Sequence, residues 1–336
     1  MDADKAARER ARMSAPIGSS FLWGHSPKRR SQESRRGTPK DKGRGCSVQY
    51  HCTEQLAKEG CKKFVCSSGG NAGLAAAYAC NKLGLPATIV VPEQTLKHVI
   101  QRLKDLGAEV VVTGKIGYIF AFLILLHIFS SFFREGHSSL VLELKVALGN
   151  QKPGALVVSV GGGGLLSGII EGLSRVGWSD VPIIAMETLG AHCLNAALEA
   201  GKSVTLPDIT RVERDHPNCN FKSRILTFFY SIAKCLGAKT VCDRALECAR
   251  KYKVISVVVD DREAVQAIEM FLDDELMLVE AACGAALSAV YSGHIQRLQQ
   301  EGKLQQLQGP LIMIVCGGSA ISLSELQNFK SQLGMV

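Results

Sequence analysis

Three times along this chain a short apolar run breaks into small polar residues and passes directly into a helical pattern. KFVC (63–66) leads through SSGGN (67–71) into AGLAAAYACNKLG (72–84). ALVVSV (155–160) leads through Gly161-Gly162-Gly163-Gly164 into LLSGIIEGLSRVG. LIMIVC (311–316) leads through Gly317-Gly318-Ser319 into a last helix. Strand, tight turn and helix make the unit of parallel sheets, because a crossover must carry the chain back before a parallel neighbour can start. Between these units ATIVV (87–91), AEVVVT (108–113), PIIAME (182–187) and VISVVV (254–259) read as further strands. TLKHVIQRLKDLG (95–107) and SSLVLELKVAL (138–148) read as helices between them. Runs such as ATIVV are apolar on both faces, as central parallel strands must be. The pattern predicts an α/β protein with open, doubly wound, mostly parallel sheets in two domains, its ligands beyond the C-terminal strand ends.

Residues 1–47 show no sustained period and are expected to lack regular structure. Residues 48–137 then form a small α/β domain and residues 138–336 a large one. Residues 1–45 carry twelve Lys/Arg against five Asp/Glu, so nearly all of the net charge of +8 lies there. A basic tail on a neutral body reads as a solvated arm, not as a nucleic-acid surface. The opening MDADK is acidic and has no apolar core, which argues against a secretory signal. The twelve cysteines form no C-x-x-C pair, and several sit in apolar runs, as buried free thiols of a reducing compartment do. The expected location is the cytoplasm. One stretch competes: Ile116–Phe133 is nearly all apolar and reaches the lower limit for a membrane span. A span there would cut one α/β domain in two, so a membrane-anchored interaction protein is the rival reading, not the first.

The glycine loop carries the clearest chemistry. Gly161–Gly164 follow a strand and open a helix, where backbone N–H groups and the dipole favour an anion. The spacing matches neither common nucleotide fingerprint. Phosphate is therefore expected, against the alternative of a tight turn with no ligand. In the SSGGNAG loop, hydroxyls, glycines and the Asn71 amide meet at a second helix N-terminus and suit a carboxylate. Ser or Asn there could also be a plain N-cap. Cys316 at the third loop could be packing alone.

Taken together, SSGGNAG, SVGGGGLLSG, AMETLGAH and VCGGS resemble the signature segments of fold-type II pyridoxal-phosphate enzymes, the tryptophan-synthase-β-like group. Within it the chain is most similar to the serine dehydratase/threonine deaminase family. The Cys316 and AMETLGAH segments favour that family over serine racemase and threonine synthase. The resemblance covers 51–114, 135–210 and 233 to the end. It implies that Gly161, Gly162, Gly163, Gly164 and Leu165 bind the cofactor phosphate. It implies that Asn71 bonds the pyridoxal 3′-oxygen, and that Ser68, Gly69 and Asn71 hold the substrate carboxylate. It places Cys316 facing the pyridine nitrogen, and Glu187 and Ala191 near a monovalent cation such as K⁺. It further implies an L-serine and L-threonine ammonia-lyase acting on a free amino acid, and a homodimer.

The family also needs a lysine that carries the cofactor, within an S-x-S-F-K-x-R-G segment. Counting back from His51 and Cys61, that position falls on Gly45. Lys42-Gly43-Arg44-Gly45 does read K-x-R-G, three residues upstream, so Lys42 is the one candidate. Without it the chain would be a catalytically inactive relative. Ile116–Phe133 and the insertion Val212–Ile232 are two further departures from the family pattern.

Overall fold

The computed structural model describes residues 20–23, 44–93, 95, 97–113, 131–207, 209 and 231–335. Lys42, most of the apolar run at 116–133 and most of the 212–232 insertion lie outside the described residues. Among the described residues no helix is long and apolar enough to cross a membrane.

Among the described residues, eight parallel strands form two sheets. The larger contains β1 (Ser20–Trp23), β5 (Ala155–Ser159), β6 (Ile183–Thr188), β7 (Val254–Val259) and β8 (Leu311–Val315), in the order β1-β8-β5-β6-β7. The smaller is β2 (Phe64–Ser67), β3 (Ala87–Val91) and β4 (Glu109–Val112) in sequence order. Side chains alternate across the large sheet, as strand geometry requires. Val157, Ile184, Met186 and Met313 enter one core, while Leu156, Val158, Ile183 and Ile312 enter the other. Both faces are therefore covered, which is why these strands read as unbroken apolar runs.

One core is closed by α8 (Asp261–Glu275), α9 (Ala281–Tyr291) and α11 (Leu323–Gln332), with α10 (His294–Gln300) beside them. The other is closed by α4 (Ser131–Leu148), α5 (Gly164–Arg175), α6 (Cys193–Ala200) and α7 (Asp243–Lys251). The small sheet packs one face on α2 (Asn71–Leu83) and α3 (Lys97–Asp105). Helix α1 (Arg44–Lys58) lies against α2 and α4.

Two expectations are corrected here. Residues 1–47 supply two elements: Ser20–Trp23 pairs in parallel with Ile312–Val315, and α1 begins at Arg44. SFLW is only four residues long, and its partner strand lies almost 300 positions away, so no local pattern announces it. The expected boundary at 137/138 falls inside α4, which packs on α5 of the large domain.

Helices α4 and α5 approach closely because α5 presents Gly168 and Gly172. A Cβ at Gly168 would lie 2.2 Å from His137 Cβ, and one at Gly172 2.7 Å from Val141 Cβ. Burial at this seam lowers the His137 pKa from 6.5 to about 4. The unfolded chain takes up a proton below pH 6.5, the folded one only near 4. His137 thus contributes stability that is complete above pH 6.5 and is lost as the pH falls towards 4, at most about 3 kcal/mol. Urea midpoints at pH 7 and 4.5 are expected to differ more in the wild type than in H137Q. Equal differences would contradict this account of the seam.

Candidate active site

Three loops that leave C-terminal strand ends, after β2, β5 and β8, are linked through residues 235–236 and Glu280. The glycine loop after β5 turns its carbonyl oxygens into the protein. Gly161 O accepts from Cys193 Sγ at 3.4 Å, Gly162 O from the Cys242 N–H at 3.0 Å, and Gly163 O from both the N–H and the hydroxyl of Ser167 at 2.9 Å. A trans peptide sets its N–H opposite its C=O. The N–H groups of Gly162, Gly163 and Gly164 therefore point away from these partners, at the start of α5, where first-turn donors have no intrahelical acceptor. Gly163 has φ +88°, and a Cβ there would lie 2.4 Å from Ala245 Cβ. At Gly163 only backbone fits.

The loop after β2 belongs to the small domain. Ser68 Oγ accepts the Gly70 N–H at 3.2 Å and so braces the turn. Gly69 lies under Thr95, whose Oγ1 would be 2.7 Å from a Cβ at that position. Asn71 opens α2 and reaches across to the large domain. Its Nδ2 donates to both oxygens of Glu280 at 2.9 Å. Its Oδ1 accepts from the Ser319 N–H at 3.1 Å and the Ser319 hydroxyl at 2.8 Å.

Glu280 gathers the rest. Its Oε1 also accepts the N–H groups of Ser319 and Ala320 at 2.7 and 2.8 Å. Its Oε2 accepts the Cys235 thiol at 3.0 Å. Cys235 lies open to the cleft yet hemmed in by protein, and this enclosure and then the Glu280 charge push its pKa up. Residues 235–236 in turn line Gly161, so contacts run unbroken from the glycine loop to Asn71. Cys316 lies at the end of β8, close enough to Cys235 and Cys283 for a charge on it to be felt by both.

Glu187 is placed behind this surface. The residue is fully buried, and its two oxygens accept the N–H groups of Leu194 and Asn195 at 2.9 and 2.8 Å, at the start of α6. Burial raises its pKa from 4.5 to about 7, against the lowering effect of those two bonds. Ala191 closes a tight turn beside it, its N–H on Thr188 O.

The structure thus brings together the predicted Ser68, Gly69, Asn71, Gly161–Gly164 and Cys316. Leu165 follows in the first turn of α5. Glu187 and Ala191 lie one layer back, and Lys42 lies outside the described residues. Glu280 and Cys235 were not legible as site residues. An acid just before an apolar helix reads as an N-cap, and a lone cysteine reads as packing.

A family model described as pyridoxal-phosphate dependent enzyme matches residues 37–317. The chain belongs to the pyridoxal-phosphate dependent enzymes. Serine dehydratase-like from Mus musculus is 51% identical over 303 residues, covering 84% of this chain and 83% of the relative. L-serine dehydratase/L-threonine deaminase from Homo sapiens is 48% identical over 301 residues, covering 85% and 84%. Among solved structures, a fungal L-serine ammonia-lyase from Rhizomucor miehei superposes with TM-score 0.71 at 30% identity, covering 86% of this chain and 89% of that one. The fold is that of fold-type II pyridoxal-phosphate dependent enzymes, and pyridoxal phosphate is the cofactor of the family.

The residues present fit that cofactor at its phosphate end. The cradle is pure backbone, with donors turned outward and no room for a side chain at Gly163. They fit it less well at the aldehyde end. Gly45 lies in the first turn of α1 and carries no amine.

Proposed function

We propose that this pyridoxal-phosphate dependent enzyme is an L-serine and L-threonine ammonia-lyase. It would convert serine to pyruvate and ammonia, and threonine to 2-oxobutyrate and ammonia. The observation that carries this reading is the convergence of a backbone phosphate cradle, a small-domain carboxylate loop and Cys316 at one cleft. Relatives named for this chemistry, about half identical over most of the chain, support it.

In this reading the N–H groups of Gly162, Gly163 and Gly164 hold the cofactor phosphate, with Gly161 and Leu165 flanking. Asn71 donates to the ring's 3′-oxygen. Bound pyridoxal phosphate supplies the electron sink for the pair left at Cα. Cys316 would offer the ring nitrogen a thiol where a carboxylate would otherwise stand. A thiol there would not force that nitrogen to carry a proton and would keep the sink weak, which would favour loss of hydroxide from Cβ over reprotonation at Cα. Ser68, Gly69 and Asn71 hold the substrate carboxylate. Lys42 is the amine assigned to anchor the cofactor and move the Cα proton. A monovalent cation beside Glu187 and Ala191, and a cytoplasmic homodimer, belong to the same proposal.

One observation favours a second reading. With glycine at position 45, the chain would bind cofactor and amino acid without turning them over. The full chain should be supplied with pyridoxal phosphate and L-serine, assayed for pyruvate, then treated with borohydride and mapped. Pyruvate together with a label on Lys42 is the expected result for the lyase. Saturable cofactor binding with neither pyruvate nor label would sink it and leave the second reading.

A further inference from the structure

Glu280 occupies the N-cap position of α9, yet its side chain makes no capping bond to that helix. Capping is the habit of the shorter Ser, Thr, Asp and Asn side chains, and the longer Glu280 side chain is engaged elsewhere. This carboxylate is buried and turned away from the helix instead. It accepts Asn71 Nδ2 on both oxygens, two loop N–H groups on one oxygen and a thiol on the other. The loop above has been shaped to admit it. Gly318 has φ +106°, and a Cβ there would lie 2.2 Å from Glu280 Cδ. The glycine lid and the contacts on its two oxygens thus commit the carboxylate to the loop after β8, Asn71 and Cys235 rather than to α9.

The partner it meets is Asn71. A carboxylamide can present either end to a cleft, and its two ends differ in everything but shape. Here the surroundings leave one choice. Both carboxylate oxygens accept here, so they draw the NH₂. The Ser319 N–H and hydroxyl donate to the other end and hold the carbonyl oxygen. Asn71 Nδ2 carries two hydrogens, and Glu280 uses one direction. Among the described residues, the second direction meets the Cys235 sulfur at 3.7 Å, a weak acceptor. We propose that Glu280 is the positioning residue that fixes Asn71 with an N–H donor facing the cleft, ready for the cofactor's 3′-oxygen. This role rests on the cofactor-binding reading above. It also makes Glu280 the joint between the small domain, through α2, and the large domain, through α9 and the loop after β8.

The test uses the full chain and two probes. 4′-Deoxypyridoxine 5′-phosphate keeps the ring, the 3-hydroxyl and the phosphate but has no aldehyde, so its binding does not depend on any lysine. Inorganic phosphate reports the glycine cradle alone. E280A is expected to weaken the first probe by about tenfold or more, the scale of a hydrogen bond to a charged group acting through its neighbour. Phosphate affinity should stay at the wild-type value. N71A should show a similar loss, and E280A/N71A should be no weaker than N71A alone, since coupled residues are not additive. E280Q keeps an oxygen for the Ser319 and Ala320 N–H groups and guards against a folding failure. It should weaken the same probe by a smaller factor. Unchanged probe affinity in E280A and E280Q, additive losses in the double variant, or a parallel loss of phosphate would overturn the role. A wild type that binds phosphate but not the ring probe would overturn the cofactor reading first, and the role of Glu280 with it.

Discussion

A lysine introduced at position 45 is expected to raise pyruvate formation from L-serine about a hundredfold or more, the low end of what a positioned acid–base group contributes. Gly45 lies in the first turn of α1, which packs on α2, the helix that presents Asn71. The fold should accept the change readily. Lysine is a better helix former than glycine by roughly 0.5–1 kcal/mol, and α1 is already rich in polar residues. Lys42 lies three residues upstream in the sequence. The measurement is the initial rate of pyruvate release by G45K and wild type at saturating pyridoxal phosphate. A G45K rate no higher than wild type would show that position 45 does not face the reacting atoms. The alignment through His51 and Cys61 would then be in error.

The second large effect is at the cradle. Gly163→Val should weaken pyridoxal phosphate binding about a hundredfold or more, equivalent to roughly 3 kcal/mol. Two costs coincide at this residue. Its φ of +88° is one that a β-branched residue scarcely adopts, and its Cβ would overlap Ala245. The chain can escape only by rotating the peptides on either side. That motion swings the Gly162 and Gly163 N–H groups off the anion and breaks the bonds that hold the loop carbonyls to Cys242 and Ser167. Melting temperature serves as the control, because α5 and β5 have their own core contacts. A G163V chain that melts like wild type and binds the cofactor equally well would place the phosphate elsewhere.

Much of this site was legible because its chemistry is carried by backbone. Glycine clusters at strand ends leave a plain mark in the sequence, and each of the three lies where a strand does end. The apolar strands were equally visible, since Ile183–Thr188 and Leu311–Val315 are buried at every position. What was hidden depends on contacts between distant residues. Glu280 lies 209 positions from Asn71, and nothing beside it in sequence distinguishes a helix cap from a link between domains. Ser20–Trp23 becomes a strand only because β8 offers an edge. Ser231 and Ile232 seemed to close an insertion. They are buried, and both bond the carboxylate of Asp261, with the Ser231 hydroxyl also on Thr188. That network anchors the segment that brings Cys235 to the cleft.

The most direct test of the central claim is equilibrium dialysis of the full wild-type chain against pyridoxal phosphate, with inorganic phosphate as competitor. The account predicts saturation at one cofactor per chain and displacement by phosphate, since both use the Gly161–Gly164 cradle. A folded chain that takes up no cofactor, or one whose bound cofactor is indifferent to phosphate, would contradict it.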